Sequence, residues 1–255
     1  MQFMATAVMR LNANQEWIGH LSELRKRLIV TGVWFVASMG AGLYLSPSIL
    51  LMLKSRAAAG APIDWHVFSF TDGLFVYLRC AFLLAALLTF PLAMYQAWAF
   101  VRPGLTGREA RGTLGYVPAS FLLFLGGVSF GYFLVFPMML RFMQSMNESV
   151  GAVEMYGIER YFAFMFGVLM PLGIAFEMPL VMLFLTKLGL LDPARIKFIR
   201  KYAYVGLAVV GSCISPPDLF SHLSVTVPLL LLFECSALVA NRQFRLRRAA
   251  GPAPG

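Results

Sequence analysis

The chain has 255 residues, 59% of them hydrophobic and 13% charged, with a mean hydropathy of +0.74. Soluble domains run at roughly 45–50% apolar and about 25% charged, so the composition excludes an ordinary soluble enzyme, a disordered chain and a disulfide-stapled secreted domain. The net charge of +9, from 21 basic against 12 acidic residues, would suggest nucleic acid in a soluble protein; in a membrane protein it poses the question of where the positive charges sit.

Six runs interrupt the charge. In chain order they are residues 28–53 (26 residues), 80–101 (22), 112–140 (29), 161–186 (26, broken by Glu177), 202–217 (16) and 219–241 (23, broken by Glu234). A helix rises about 1.5 Å per residue and the hydrocarbon core is about 30 Å thick, so about 20 residues cross it. Four runs clear that length. The fifth reaches only about 24 Å, and the sixth crosses if Glu234 is tolerated. Backbone in lipid must satisfy its own hydrogen bonds, so the runs are read as helices. The first is too long for the core of a signal peptide, 27 residues precede it, and Ser46-Pro47-Ser48 is no cleavage site.

The basic residues alternate. Arg10, Arg25, Lys26 and Arg27 precede the first run. Arg102, Arg108 and Arg111 follow the second. Lys187, Arg195, Lys197, Arg200 and Lys201 follow the fourth, and Arg242, Arg245, Arg247 and Arg248 follow the sixth. That places 16 of the 21 on one side. Lys54, Arg56, Arg141 and Arg160 fall on the other, and Arg79 stands near the start of the second run. Such asymmetry predicts an all-α polytopic membrane protein with six transmembrane helices and both termini cytoplasmic. The chain reads as one membrane domain over 1–255: a cytoplasmic amphipathic segment at 1–27, a six-helix bundle at 28–241 and a cytoplasmic tail at 242–255. No internal repeat supports an inverted-repeat transporter.

Four constellations could carry chemistry. In His20-Leu21-Ser22-Glu23-Leu24-Arg25-Lys26-Arg27-Leu28 the leucines recur at i, i+3 and i+7. This predicts an amphipathic helix lying on the cytoplasmic surface before the chain turns into the membrane. Glu23 is the acid in a basic setting, or half of an i, i+4 pair with Arg27. Next comes Tyr95-Gln96-Ala97-Trp98-Ala99-Phe100-Val101-Arg102-Pro103-Gly104-Leu105, whose aromatics suit an interfacial belt and whose Pro103-Gly104 breaks the helix. Glu109 follows, in a cytoplasmic loop or as first-turn charge on the next helix.

The third constellation is Phe176-Glu177-Met178-Pro179. An acid inside a span marks a functional site by default, with a polar contact to a neighbouring helix as the alternative. Glu177 lies about 24 Å from Tyr161 by helical rise, and Pro171 and Pro179 should bend the helix beside it. Glu234 reads as snorkelling to the interface. The fourth is Ser215-Pro216-Pro217-Asp218, a rigid turn with an N-cap acid opening the last helix. With a short fifth span, this turn should sit below the outer membrane surface.

Cys80, Cys213 and Cys235 lie in apolar stretches and read as buried structural thiols, with no disulfide framework or metal site. His20, His66 and His222 form no zinc pair, and no catalytic triad or nucleophile elbow appears, so no catalytic residue and no cofactor is predicted. Gly126-Gly127 predicts close helix packing.

Taken together, His20-Leu21-Ser22-Glu23-Leu24-Arg25-Lys26-Arg27, the segment 95–105, Phe176-Glu177-Met178-Pro179 and Pro216-Pro217-Asp218 resemble the TatC family, the multi-span core of the twin-arginine protein translocase. The resemblance covers roughly residues 20–241. It implies a concave bundle with short fifth and sixth helices in the cytoplasmic (inner) membrane. It further implies a non-enzymatic receptor that binds twin-arginine signal peptides and starts transport of folded proteins driven by the protonmotive force. By motif position, Glu23 and Glu109 look like the acceptors of the arginine pair, grouped with Phe100, Pro103 and Arg25. Glu177 matches the family's intramembrane acid, facing a concave pocket, and Asp218 the acid of the outer turn.

Implied partners are signal peptides of folded cargo, single-span TatA/TatB-like subunits docking on the last two helices near Pro216, Pro217, Asp218 and His222, membrane lipids and further copies of the chain, with no nucleic acid. Two positions depart from the family pattern: His222, commonly Gln, and the polar Gly211-Ser212-Cys213-Ile214-Ser215. An ion-coupled solute transporter using Glu177 as a proton site and an intramembrane enzyme are the competing readings. Paired repeats would favour the first and a dyad at membrane depth the second.

Overall fold

Apolar helices in a bilayer gain little from hydrophobic burial against one another, so small residues decide where two backbones can meet. In the first helix Ser38, Gly42 and Ser46 recur every fourth residue, all buried. The computed structural model describes residues 2–57, 65–102, 115–151, 155–187, 189 and 191–249. It sets this stripe of α1 (Gln2–Ala57) against Ala81 and Ala85 of α2 (Asp72–Val101). A Cβ on Gly42 would stand 2.7 Å from the Ala81 carbonyl oxygen. One turn on, Ser46 donates to the Gly42 carbonyl at 2.7 Å, beside Pro47, which has no N–H of its own. Replacing Gly42 by Val forces the two backbones apart. The expected result is a loss of about 1–3 kcal/mol, the usual cost of overpacking, read as a lower thermal midpoint of the purified protein in detergent.

α1 runs through residues 20–28 without a break. This corrects the expected surface helix that turns into the membrane. No proline interrupts the chain before Pro47, and the Glu23–Arg27 pair spans one turn of the continuous helix.

The third span is α3 (Tyr116–Phe130), a five-residue π turn (Gly131–Val135) and α4 (Phe136–Ser149). The fourth is α5 (Ile158–Ala175) and α6 (Met178–Lys187). α3 meets α5 at Gly127, where a Cβ would lie 2.8 Å from the Leu172 carbonyl oxygen. The predicted close packing is therefore at Gly127; Gly126 faces open space.

The expected bend beside Glu177 is a full break. α5 stops at Ala175, Phe176 and Glu177 form a turn, and the Glu177 carbonyl accepts from Leu180 and Val181 at 3.0 Å each. Pro179 lacks the N–H that would have bonded the Ala175 carbonyl, so the ladder ends there.

The last two helices are α7 (Pro193–Ile214) and α8 (Leu219–Ala249). The Asp192 side chain accepts from the Arg195 backbone at 2.7 Å to cap α7. Gly211 makes the α7–α8 crossing: its Cβ would overlap the Thr226 hydroxyl. What is short in α7 is its uncharged stretch, since the 22-residue helix carries four basic residues in its first nine positions. α8 has 31 residues and extends through the expected tail to Ala249. Five helices among the described residues are long and apolar enough to cross a membrane: Leu21–Lys54, Asp72–Phe100, Tyr116–Ser149, Ile158–Lys187 and Leu219–Arg245.

At one end of the bundle a two-residue parallel strand pair, β1 (Trp65–His66) with β2 (Tyr156–Gly157), joins the segments after the first and third spans. Trp65 packs edge-on against Tyr161 at 4.8 Å. Arg79, which the alternation of charge left unassigned, pairs with Glu159 at 2.9 Å and ties α2 to α5. Arg25, Lys26, Arg27, Arg102 and Lys187 lie at the other end, the basic end of the bundle.

The cysteines correct another expectation. Cys80 is buried, but Cys213 and Cys235 are exposed, because each lies on a face of α7 or α8 that no neighbouring helix covers.

Candidate functional site

At the basic end two of the sequence motifs meet. Arg27 donates to Glu23 Oε1 from Nε at 3.2 Å and from Nη2 at 2.5 Å, so the i, i+4 pair is formed. The same guanidinium reaches across to α2, where its Nη1 donates to Gln96 Oε1 at 3.0 Å. One arginine thus holds the first motif against the second. Both Arg27 bonds to Glu23 fall on one oxygen, and among the described residues Glu23 Oε2 carries no hydrogen bond. With its side chain 36% exposed, this carboxylate keeps an oxygen open to an incoming donor.

Beyond Gln96, Tyr95 and Trp98 pack 5.8 Å apart, and the Arg102 guanidinium lies 5.6 Å from the Trp98 ring. Phe100 is half-buried in the last turn of α2, and Arg25, two residues after Glu23 on α1, is exposed. Pro103 and Glu109 lie outside the described residues. The motif gives Gln96 no role by itself; its contact partner sits 69 positions away, and no local spacing reveals such a pair.

Glu177 occupies the turn between α5 and α6 and is 5% exposed. Ser120 of α3 donates to its Oε2 at 2.8 Å. Its Oε1 meets no donor among the described residues. The side chain borders an open-sided cavity of about 200 Å³ lined by Met94, Trp98, Tyr116, Leu180, Val181 and Phe184, among others. An acid beside an otherwise apolar cavity is costly unless a polar group meets it. The polar contact to a neighbouring helix is therefore present through one oxygen, while the other meets no donor among the described residues. Ser120, a fully buried hydroxyl, is one of several hydroxyl residues in its apolar run, so the sequence alone does not single it out as the partner. At the rim, Lys187 Nζ lies 4.5 Å from the Tyr116 ring.

Glu234 does not snorkel. It faces α7, where Arg200 Nη2 lies 3.0 Å from its Oε2 and the Tyr204 hydroxyl donates to its Oε1. An ion pair between helices satisfies the acid where it stands.

At the opposite end Asp218 caps α8 as expected, accepting from the Ser221 backbone at 2.7 Å. Pro216 and Pro217 form the turn before it, with the Asp218 N–H donating to the Pro216 carbonyl at 2.8 Å. His222 Nδ1 stands 3.3 Å from Ser212 Oγ and 3.4 Å from Thr226 Oγ1. Of the polar residues that end α7, Ser212 therefore meets His222, while Ser215 donates to the Gly211 carbonyl at 2.9 Å.

The family model for the Sec-independent protein translocase protein TatC matches residues 19–228, which include every motif above. The chain belongs to the TatC family. It is 43% identical over 226 residues to the TatC protein of Halalkalibacterium halodurans, covering 89% of each chain. It is 40% identical over 237 residues to TatCy of Bacillus subtilis, covering 92% of this chain and 93% of the relative. A solved structure described as the twin arginine translocase receptor TatC superposes with a TM-score of 0.79 at 30% identity, covering 88% of this chain and 99% of that one. A second, in DDM, gives 0.80 at 31% identity. This TatC chain is a multi-pass membrane component of the Sec-independent protein translocase. The matches favour that reading over the solute transporter. Glu234 lies beyond the matched segment, whereas Glu23, Phe100, Glu177 and Asp218 lie within it.

Proposed function

We propose that this TatC chain is the receptor of its translocase, binding twin-arginine signal peptides at the basic end. Glu23 and Glu109 accept the guanidinium pair, with Arg25, Phe100 and Pro103 around them. The observation that carries this is the Arg27 bridge, which sets Glu23 and its open oxygen against the second motif at Gln96. A carboxylate oxygen beside an existing guanidinium suits a second planar fork.

In this reading the basic end is cytoplasmic, as the distribution of Lys and Arg favours. α7 is the fifth of six spans, its basic first turns resting at the membrane surface, and residues 1–255 form one domain of the inner membrane with both termini inside. Glu177 acts after recognition, in transport of folded cargo coupled to the protonmotive force. Single-span TatA/TatB-like subunits dock on α7 and α8 near Pro216, Pro217, Asp218 and His222, and copies of the chain associate within the complex.

A photo-crosslinking side chain at position 96 tests the location. A twin-arginine peptide should crosslink there and compete with unlabelled peptide. Capture only from positions at the opposite end, such as 220, would contradict it.

A further inference from the structure

At the end opposite the basic one, an exposed cation stands beside an apolar groove. Arg141 lies on α4, is exposed, and makes no ion pair or hydrogen bond among the described residues. It stands at one end of an apolar groove of about 430 Å³, lined by Phe133, Leu134, Pro137, Met138, Phe142 and Phe220.

The groove has a structural origin. Phe133 and Leu134 belong to the π turn Gly131–Val135, where one extra residue per turn widens the helix surface. Phe133, Pro137 and Arg141 form one i, i+4 row, and Leu134, Met138 and Phe142 form the next. Phe220 of α8 closes the far wall, stacked on Phe142 at 4.5 Å.

Depth follows from helical rise. Arg141 lies 25 residues beyond Tyr116 at the basic end, about 37 Å along the third span. That is beyond a hydrocarbon core of about 30 Å, at headgroup level. Phe133 lies eight residues back, about 12 Å deeper, among acyl chains. The nearby acids do not compete for Arg141: Asp218 is engaged in capping α8, and Glu148 lies two turns farther out.

We propose that this groove is a phospholipid site, with the lipid phosphate on Arg141 and one acyl chain along Phe133, Met138 and Phe220. Charge complementarity selects the occupant: a guanidinium binds a phosphate diester through charge-assisted hydrogen bonds, and the apolar channel below it accepts a hydrocarbon chain.

The test uses the full-length protein, delipidated in mild detergent and titrated with phosphatidylglycerol under native mass spectrometry. Wild type should retain a single tight lipid adduct, and diacylglycerol, which lacks phosphate, should be retained far less. Arg141→Gln should lower retention about fivefold, the factor associated with one basic residue at an anionic lipid surface. Met138→Trp, which fills the groove, should lower it too, while Arg160→Gln leaves it unchanged. Equal retention by wild type and Arg141→Gln, or equal retention of diacylglycerol, would overturn the site. So would a photo-crosslinker at position 138 that captures a single-span protein rather than lipid in intact membranes. Thermal unfolding of each variant separates a lost site from a lost fold.

Discussion

Glu23→Ala weakens capture of a twin-arginine signal peptide by about tenfold or more. Hydrogen bonds to charged groups contribute about 1.5–3 kcal/mol, and the variant removes the open Oε2 at which a second guanidinium would be received. Stability should barely change, because a partly exposed i, i+4 pair is worth only about 0.3–0.5 kcal/mol, and Arg27 keeps its bond to Gln96. Arg27→Gln is the informative companion. It destroys the same ion pair but leaves the Glu23 carboxylate, so peptide capture should persist. If the two variants lose binding equally, Glu23 acts only by orienting α1. Combined with Glu109→Ala, Glu23→Ala should lose less than the sum of the single effects, since two acids serving one arginine pair share one interaction.

The second large effect is at Glu177. Glu177→Gln should leave peptide capture intact and reduce transport of folded cargo by about tenfold or more, again the scale of a charged hydrogen bond. Gln keeps the size of the side chain, and its amide oxygen can accept from Ser120, so the α5–α6 turn survives. What disappears is the ionisable group beside the apolar cavity. Assaying export of a folded reporter alongside peptide capture separates the two steps. Normal export by Glu177→Gln would reduce the residue to a structural contact with Ser120.

These residues also show what a sequence can disclose. The uncharged runs located the helices because lipid tolerates few charges, and a count of residues against bilayer thickness is a strong constraint. Pro179 announced the break at Glu177, whereas α5 runs through Pro171, and Asp218 announced the cap of α8, because both effects are local in the chain. The partners of the acids were not legible. Glu23 could be paired with Arg27 on spacing, yet Gln96, Ser120 and Arg200 lie 73, 57 and 34 positions from the acids they serve or flank. Glu234 was misread for that reason: its ion pair depends on how α7 lies on α8, which is decided by close contacts such as Gly211 on Thr226. The Ser38-Gly42-Ser46 stripe was not legible as a contact, because its meaning depends on Ala81 lying opposite. The unbroken α1 shows that an amphipathic pattern does not by itself make a helix turn at the membrane surface.

The central claim is that carboxylates at the basic end read a pair of guanidinium forks. The most direct measurement titrates the purified full-length protein with two signal peptides that differ only in Arg-Arg against Lys-Lys. An ammonium carries the same charge but cannot present two parallel donors to one carboxylate. The dilysine peptide should therefore bind about tenfold more weakly, and Glu23→Ala should narrow that gap. Equal affinity for the two peptides would contradict the account.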